Sequence, residues 1–588
     1  MSQYKRLFDF VYHQRDHFPL KEMMISRVAG SWKAYSTEEF IEKMNEVSRG
    51  LLTLGVKQGD KIALITTTNR VEWNIMDHAI LQIGAIDIPI YPTMTEDDYK
   101  YILNHSESKY CFVSDAEILK KVKQIAAEVP SLKEVFTFEK VEDARHWLEV
   151  AALSKDTDQS EVDRITKEVK ADDMATIIYT SGTTGLPKGV MLTHANIASN
   201  AMDSEDRLPE LIKGDTTALS FLPCCHIYER MLHYLYINNG VRVYLSGLET
   251  VKDDLAFTTP HIFSAVPRLL EKFYDGVIAK GLANTGLKKK IFQWSVGVAL
   301  DWNPDKGGLY NLKLAIARKL VFSKVKAALG LTGIKAVPSG SAALQPRLAR
   351  FFTGAGIPIF EGYGLTETSP VISVNTLRRA GMYEVGCVGK PINNVEVKIA
   401  EDGEIICKGP NVMLGYYKNS EMTSEVLKNG WFHTGDIGVI ENGFLKITDR
   451  KKEMFKTSGG KYIAPQLIEN ILKESIYIEQ CMVIGENRNF PAALIVADLI
   501  TLKLWAEKEG IAYSSDAELL SLEATEKLIE REIEKRNSRF GKWEQIKAFR
   551  ILPGPFTIDK GEITPTLKLK RKKIMENYAH LVANIYHD

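Results

Sequence analysis

Tyr179-Thr180-Ser181-Gly182-Thr183-Thr184-Gly185-Leu186-Pro187-Lys188-Gly189-Val190 gathers hydroxyls, glycines and a single lysine behind an apolar run. The preceding Met174-Ala-Thr-Ile-Ile-Tyr179 is short, mostly apolar and rich in β-branched residues, so it reads as a buried strand; Thr193-His194-Ala195-Asn196-Ile197 beyond it reads as the start of a helix. The loop therefore sits at a strand end. Glycines let a backbone turn tightly and aim N–H groups at an anion, hydroxyls add donors, and a lysine adds a compact positive charge suited to polyphosphate.

A nucleotide P-loop needs Gly directly before its Lys and Ser or Thr directly after it, and here Pro187 and Gly189 stand in those places. A Gly/Ser/Thr-rich surface turn would be the plain alternative for a short match. The match is longer than that. Thr-Ser-Gly-Thr-Thr-Gly-Leu-Pro-Lys-Gly, Thr180 to Gly189, resembles the signature of the adenylate-forming superfamily, which contains acyl-CoA synthetases, luciferases and the adenylation domains of peptide synthetases.

Four further stretches resemble motifs of that superfamily, in its order. In Phe360-Glu361-Gly362-Tyr363-Gly364-Leu365-Thr366-Glu367-Thr368 the resemblance implies that Tyr363 stacks on adenine, Thr366 donates to the α-phosphate and Glu367, with Thr180, serves a magnesium ion. An aromatic plane and a hard oxygen ligand suit those tasks. In Trp431-Phe-His-Thr-Gly-Asp436 it implies that Asp436 accepts from both ribose hydroxyls. In Ile447-Thr-Asp-Arg450-Lys451-Lys452, continuing to Ser458-Gly459-Gly460, it implies ribose contact by Arg450, a hinge at Lys452, and a loop that enters the site in a second half-reaction. Asp449 replaces the Gly more usual before that Arg, a departure similar to long-chain acyl-CoA synthetases. In Gly561-Glu-Ile-Thr-Pro-Thr-Leu-Lys568-Leu-Lys570-Arg571 the catalytic lysine aligns with Lys568, although Lys570, Lys572 and Lys573 lie close by. Ser220-Phe-Leu-Pro-Cys-Cys-His226-Ile-Tyr-Glu229-Arg230 is similar to a segment of the long-chain synthetases, and His226 and Gly340 fall with Ser458 to Gly460 on the acyl and CoA side. A core histidine with a satisfied hydrogen bond is the structural alternative for His226.

The rest of the chain agrees with an enzyme of that size. Its 588 residues, 45% apolar and 26% charged, describe a folded chain of more than one domain, and 75 basic against 75 acidic residues leave no global field for nucleic acid. Ser36-Thr-Glu-Glu39 is a capping box before Phe40, Met44, Val47 and Leu51 on one helical face. Alternating strands and helices follow, which implies parallel sheets covered by helices. From about Gly386 the pattern shortens around Asp402-Gly403, Asn429-Gly430 and Asn442-Gly443, all hairpin signals. The expected fold is a large N-terminal α/β domain, residues 1–450, carrying a small β-barrel-like subdomain at about 383–450, and a small, mobile α+β C-terminal domain, 451–588.

The six cysteines lack metal spacing and read as reduced, buried thiols; Cys224 and Cys225, taken as strand neighbours, would face opposite ways. No apolar run approaches the roughly 20 residues that span a bilayer, so a cytoplasmic protein is expected. Peripheral contact with a membrane and a homodimer are compatible with the sequence, although no strongly amphipathic basic helix stands out. The resemblance implies ATP, Mg²⁺ and CoA as cofactor and co-substrates, and conversion of a fatty acid to acyl-AMP and then acyl-CoA. A fatty acyl-AMP ligase, a luciferase-like oxygenase, an amino-acid adenylating domain and a non-catalytic acyl or nucleotide sensor are the alternatives.

Overall fold

The computed structural model describes residues 6–28, 30–180, 186–211, 213–557, 559–563 and 569–586, so Ser181, Gly182, Thr183, Thr184, Gly185 and Lys568 lie outside the described residues. The capping box forms as read: Glu39 N donates to Ser36 Oγ at 3.1 Å and Ser36 N to the Glu39 carboxylate at 2.8 Å. It starts the helix Thr37–Thr53, whose Phe40, Met44, Val47 and Leu51 are fully buried. Each such side chain contributes about 1.5–3 kcal/mol relative to exposure.

One eight-stranded sheet runs in the spatial order Gly415–Tyr416, Lys188–Thr193, Met174–Thr180, Ile86–Ile90, Lys61–Ile65, Ser108–Val113, Glu134–Thr137, Arg145–His146. From Met174–Thr180 onward all neighbours are parallel. The first strands break the pattern. Lys188–Thr193 folds back antiparallel on Met174–Thr180, with Lys188 opposite Thr180. The strands on either side of the glycine-rich stretch thus pair antiparallel, and the helix that Thr193 caps, His194–Glu205, begins only after this return strand. That return is a second reason why it is not a P-loop, which leads directly into a helix. Gly189 fits because a Cβ there would come within 2.7 Å of Ile177 on the partner strand.

A second sheet, ordered Ile262–Phe263, Thr217–Ser220, Arg242–Leu245, Met24–Val28, Ser31–Tyr35, is parallel up to a terminal hairpin. The helix Ile227–Asn238 is tied to both sheets. Its His233 ring lies 2.7 Å from Ser220 Oγ in the second sheet, and its Arg230 donates to Thr176 Oγ1 in the first at 2.8 Å. Arg230 is wholly buried, 2.6 Å from Asp77 and 3.0 Å from Asp87. Burial pushes the Asp87 carboxyl well above the carboxylate range despite Arg230. Arg230→Met should strand the buried acidic groups it faces and cost about 3–5 kcal/mol, seen as a lower unfolding midpoint of the large domain in urea.

Between Gly386 and Arg450 the hairpin signals act where expected. Asn429-Gly430 (φ 52° and 79°) and Asn442-Gly443 (φ 51° and 80°) turn Leu427–Lys428 into Trp431–Glu441 and that strand into Phe444–Arg450. With Glu396–Ile399 and Glu404–Lys408 these make a five-stranded antiparallel sheet. Lys390–Pro391 belongs instead to the sheet of Val337–Ser339, Ile359–Gly364 and Val371–Val374. Beyond Arg450, Ile478–Ile484, Ala492–Ala497 and Ala548–Ile551 form a separate three-stranded sheet packed against Pro465–Leu472 and Glu523–Asn537. All six cysteines are buried and unbridged. Cys224 and Cys225 lie in a turn rather than a strand, because Pro223 withholds the N–H a strand would need. Among the described residues no helix is long and apolar enough to cross a membrane.

Candidate active site

The ends of three sheets meet around one cavity of about 840 Å³. Thr180 closes its strand there and Lys188 opens the return strand directly opposite. The third sheet delivers Gly362, Tyr363 and Gly364, followed by Thr366 and Glu367 in a single 3₁₀ turn. A Cβ at Gly364 would sit 1.8 Å from the Pro370 carbonyl, so only glycine lets this strand end pack against the segment after the turn.

Lys188 Nζ donates to Glu367 Oε1 at 2.6 Å and to the Tyr416 hydroxyl at 2.7 Å, and that hydroxyl donates to the same Glu367 oxygen at 2.8 Å. Burial would raise the Glu367 carboxyl, but Lys188, with hydrogen bonds from a backbone N–H and the Tyr416 hydroxyl, offsets it and holds the group below its ordinary range, hence ionised at neutral pH. Tyr416 reaches this point because Gly415–Tyr416 pairs with Lys188–Thr193 as the edge strand of the large sheet. Nothing local in the sequence marks it.

A second cluster stands at the antiparallel sheet, where Asp436 lies opposite Arg450 in register. The Tyr363 hydroxyl donates to Asp436 Oδ2 at 2.7 Å and Arg450 Nε lies 3.1 Å from Oδ1. Burial, then Asp436, pushes the Tyr363 hydroxyl well up, so it stays a donor. Both Asp436 oxygens thus have protein partners. The turn before Asp436 is held by Glu404, which accepts from Gly435 N at 2.8 Å and from Lys451 at 3.0 Å, with the His433 ring also 3.0 Å away. Asp402-Gly-Glu404 carried only a hairpin signal in sequence, so the role of Glu404 was not legible there.

His226 lines the cavity and caps its helix, Nδ1 accepting from Tyr228 N at 3.1 Å. Gly340 lines it opposite the Tyr228 ring, 3.8 Å from where a Cβ would be. The same cavity is lined by apolar Leu208, Met231, Leu232, Leu235, Val371 and Val374. One chamber therefore carries both charged and hydrocarbon walls.

Arg450, Lys451, Lys452 and Glu453 also line it. Lys452 is exposed in the turn that leaves the sheet. Around that turn, Asp449 accepts from Gln466 N at 3.1 Å, and Arg571 lies 3.0 Å from Glu453 and 2.7 Å from buried Glu469. Ser458, Gly459 and Gly460 stand apart from the cavity in an exposed turn, Ser458 Oγ donating to Asn489 at 2.9 Å. Lys568 and Ser181 to Gly185 lie outside the described residues.

Two family models match the chain: AMP-binding enzyme over residues 11–417 and AMP-binding enzyme C-terminal domain over 453–588. The long-chain-fatty-acid–CoA ligase FadD15 of Mycobacterium tuberculosis is 35% identical over 583 residues, covering 98% of this chain and 96% of that one. Long-chain-fatty-acid–CoA ligase 1 of Homo sapiens is 32% identical, covering 94% and 82%. Among solved structures, the anthranilate CoA ligase AuaEII in complex with anthranoyl-AMP superposes with a TM-score of 0.72 at 18% identity, covering 99% of both chains, a likeness of fold. By full-length similarity as well as by the motifs around its cavity, the chain belongs to the AMP-binding enzymes of the adenylate-forming superfamily.

Proposed function

We propose that this chain is an AMP-forming long-chain fatty acid–CoA ligase. The observation that carries the reading is a single chamber lined both by the charged Lys188, Glu367, Asp436 and Arg450 and by the apolar Leu208, Met231, Leu232 and Leu235. Such a chamber takes a nucleotide and an acyl chain together. In the first step a carboxylate oxygen attacks the α-phosphorus of ATP, its bond to the β-phosphate oxygen breaks, and pyrophosphate leaves. In the second the CoA sulfur attacks the acyl carbonyl, the thiol proton is lost, and AMP leaves with the mixed-anhydride oxygen. Phosphoryl-type transfer asks little covalent help of a protein, so positioning and charge neutralisation dominate.

The assigned roles follow that need. Tyr363 and Asp436 with Arg450 orient the nucleoside; Thr180, the loop Ser181 to Gly185 and Lys188 hold the polyphosphate; Thr366 donates to the α-phosphate; and Lys568 neutralises charge between carboxylate and α-phosphate. Mg²⁺ fits this site. Thr180 Oγ1 is buried with no hydrogen-bond partner among the described residues, and the ionised Glu367 carboxylate lies on the same cavity wall. The ion would supply charge compensation to the departing pyrophosphate.

One lysine required for adenylation would obstruct the thiol, so the reading includes a large domain to Arg450, a C-terminal domain from Lys451, and rotation about Lys452 that withdraws Lys568 and admits Ser458 to Gly460. The exposed turn at Lys452 and the separation of Ser458 to Gly460 from the cavity support this. Lys452→Pro should leave acyl-AMP formation within about twofold and lower thioester formation at least roughly tenfold, because proline fixes the φ that must change. Equal loss of both half-reactions would reject the hinge.

The whole reading is tested by supplying ATP, Mg²⁺ and saturated fatty acids of graded length, scoring pyrophosphate and acyl-CoA with and without CoA. Acyl-CoA with an optimum among long chains is expected. Pyrophosphate without thioester would make the chain an acyl-AMP ligase, and silence in both channels would make it a binding protein.

A further inference from the structure

Residues 286–330 carry nine Lys or Arg and only two acidic residues, Asp301 and Asp305, in a chain whose basic and acidic totals are equal at 75 each. They form the helix Gly286–Leu300 and, after a turn, a continuous helical run from Leu309 to Ala328 with one π-turn at Arg318–Phe322. The run has two apolar sides. Leu314, Ala317 and Phe322 are buried inward, whereas Leu309, Leu312, Ile316 and Leu320, spaced by three or four residues, point outward and are 43–68% exposed. That double-sidedness hid the amphipathic face from the sequence reading. The neighbouring helix Gly286–Leu300 adds exposed Leu287 and Trp294. No other stretch of that length among the described residues exposes so many large apolar side chains.

The lysines beside them lack counter-charges. Lys288, Lys289, Lys290, Lys313, Lys319 and Lys324 make no ion pair among the described residues, unlike Lys306, which pairs with Asp301. A soluble surface normally scatters single apolar residues and interleaves charges of both signs. Apolar side chains framed by uncompensated lysines complement a layer with anionic headgroups over hydrocarbon. The face is also connected to the cavity. Leu314 packs with Trp302 and Tyr383, the two rings 5.4 Å apart, and the segment leading to Tyr383 holds the cavity wall: Thr376 Oγ1 donates to Arg207 O at 2.6 Å and Arg378 to Leu208 O at 2.9 Å.

We infer that the outward face of the helices Gly286–Leu300 and Leu309–Ala328 is a docking surface for an anionic lipid bilayer, from which the chain draws its acyl substrate. The purpose rests on the fatty-acid reading above; the docking does not. Co-sedimentation of the full chain with phosphatidylcholine vesicles containing about 30% phosphatidylglycerol, without ATP or CoA, reads it separately from ligase activity. Binding is expected that weakens with neutral vesicles and at about 0.5 M salt. Lys313→Glu/Lys319→Glu/Lys324→Glu should lower the partition coefficient on the order of 100-fold. Leu312→Gln/Ile316→Gln should lower it roughly tenfold or more. These side chains are exposed, so unchanged thermal melts will verify folding. Failure of the wild-type chain to bind anionic vesicles, or equal binding by both variants, overturns the proposal. So does a wild-type dimer in lipid-free sedimentation that Leu312→Gln/Ile316→Gln converts to monomer, since the face would then belong to a second copy.

Discussion

Glu367→Gln is expected to lower kcat for pyrophosphate release by about 10²–10³-fold while leaving KM for ATP within a fewfold. The change preserves volume and an oxygen that can accept from Lys188 and Tyr416, both now within 2.8 Å, so the turn Thr366–Thr368 should keep its place. What it removes is a negative charge only 8% exposed and kept ionised by Lys188. Lys188, released from that charge, would still be available to the polyphosphate on the proposed reading, which would sustain ground-state binding. On the proposed reading the transition state would lose more, because a metal offsetting charge on the departing pyrophosphate would lose the Glu367 carboxylate. The measurement is steady-state pyrophosphate release across a Mg²⁺ titration. Half-saturation should move to higher Mg²⁺, and an unchanged kcat would remove Glu367 from the metal site.

Lys568→Ala should cost acyl-AMP formation a similar 10²–10³-fold, about the effect of deleting a preorganised charge-stabilising donor. Thioester formation from supplied acyl-AMP should survive, since on the proposed mechanism the thiol step would not use this lysine. Lys570→Ala should change neither step more than about twofold, because a basic side chain in a solvated run contributes little. The neighbouring framework makes the comparison informative. Lys570 N donates to Glu562 O at 2.8 Å with its side chain exposed, and Arg571 is committed to Glu453 and Glu469. Loss of adenylation in Lys570→Ala instead would shift the catalytic register by two residues.

Features that depend on neighbours along the chain were readable before any tertiary contact was known. The capping box at Ser36 and Glu39, the buried stripe of Phe40, Met44, Val47 and Leu51, and the Asn-Gly turns at 429–430 and 442–443 are local, governed by backbone hydrogen bonds and φ preferences that a few residues satisfy alone. The superfamily was legible for the same reason: each motif is a contiguous run whose residue types state their chemistry. Tertiary structure decided the rest. Tyr416 meets Lys188 across 228 positions because an edge strand returns to the first sheet. Glu404 reaches the turn before Asp436 because two strands pair, and Leu309 to Leu320 face outward only because Leu314, Ala317 and Phe322 take the inward side. Side-chain chemistry is written residue by residue, but partnership and exposure follow from which surfaces bury the most apolar area together, and that is a property of the assembled chain.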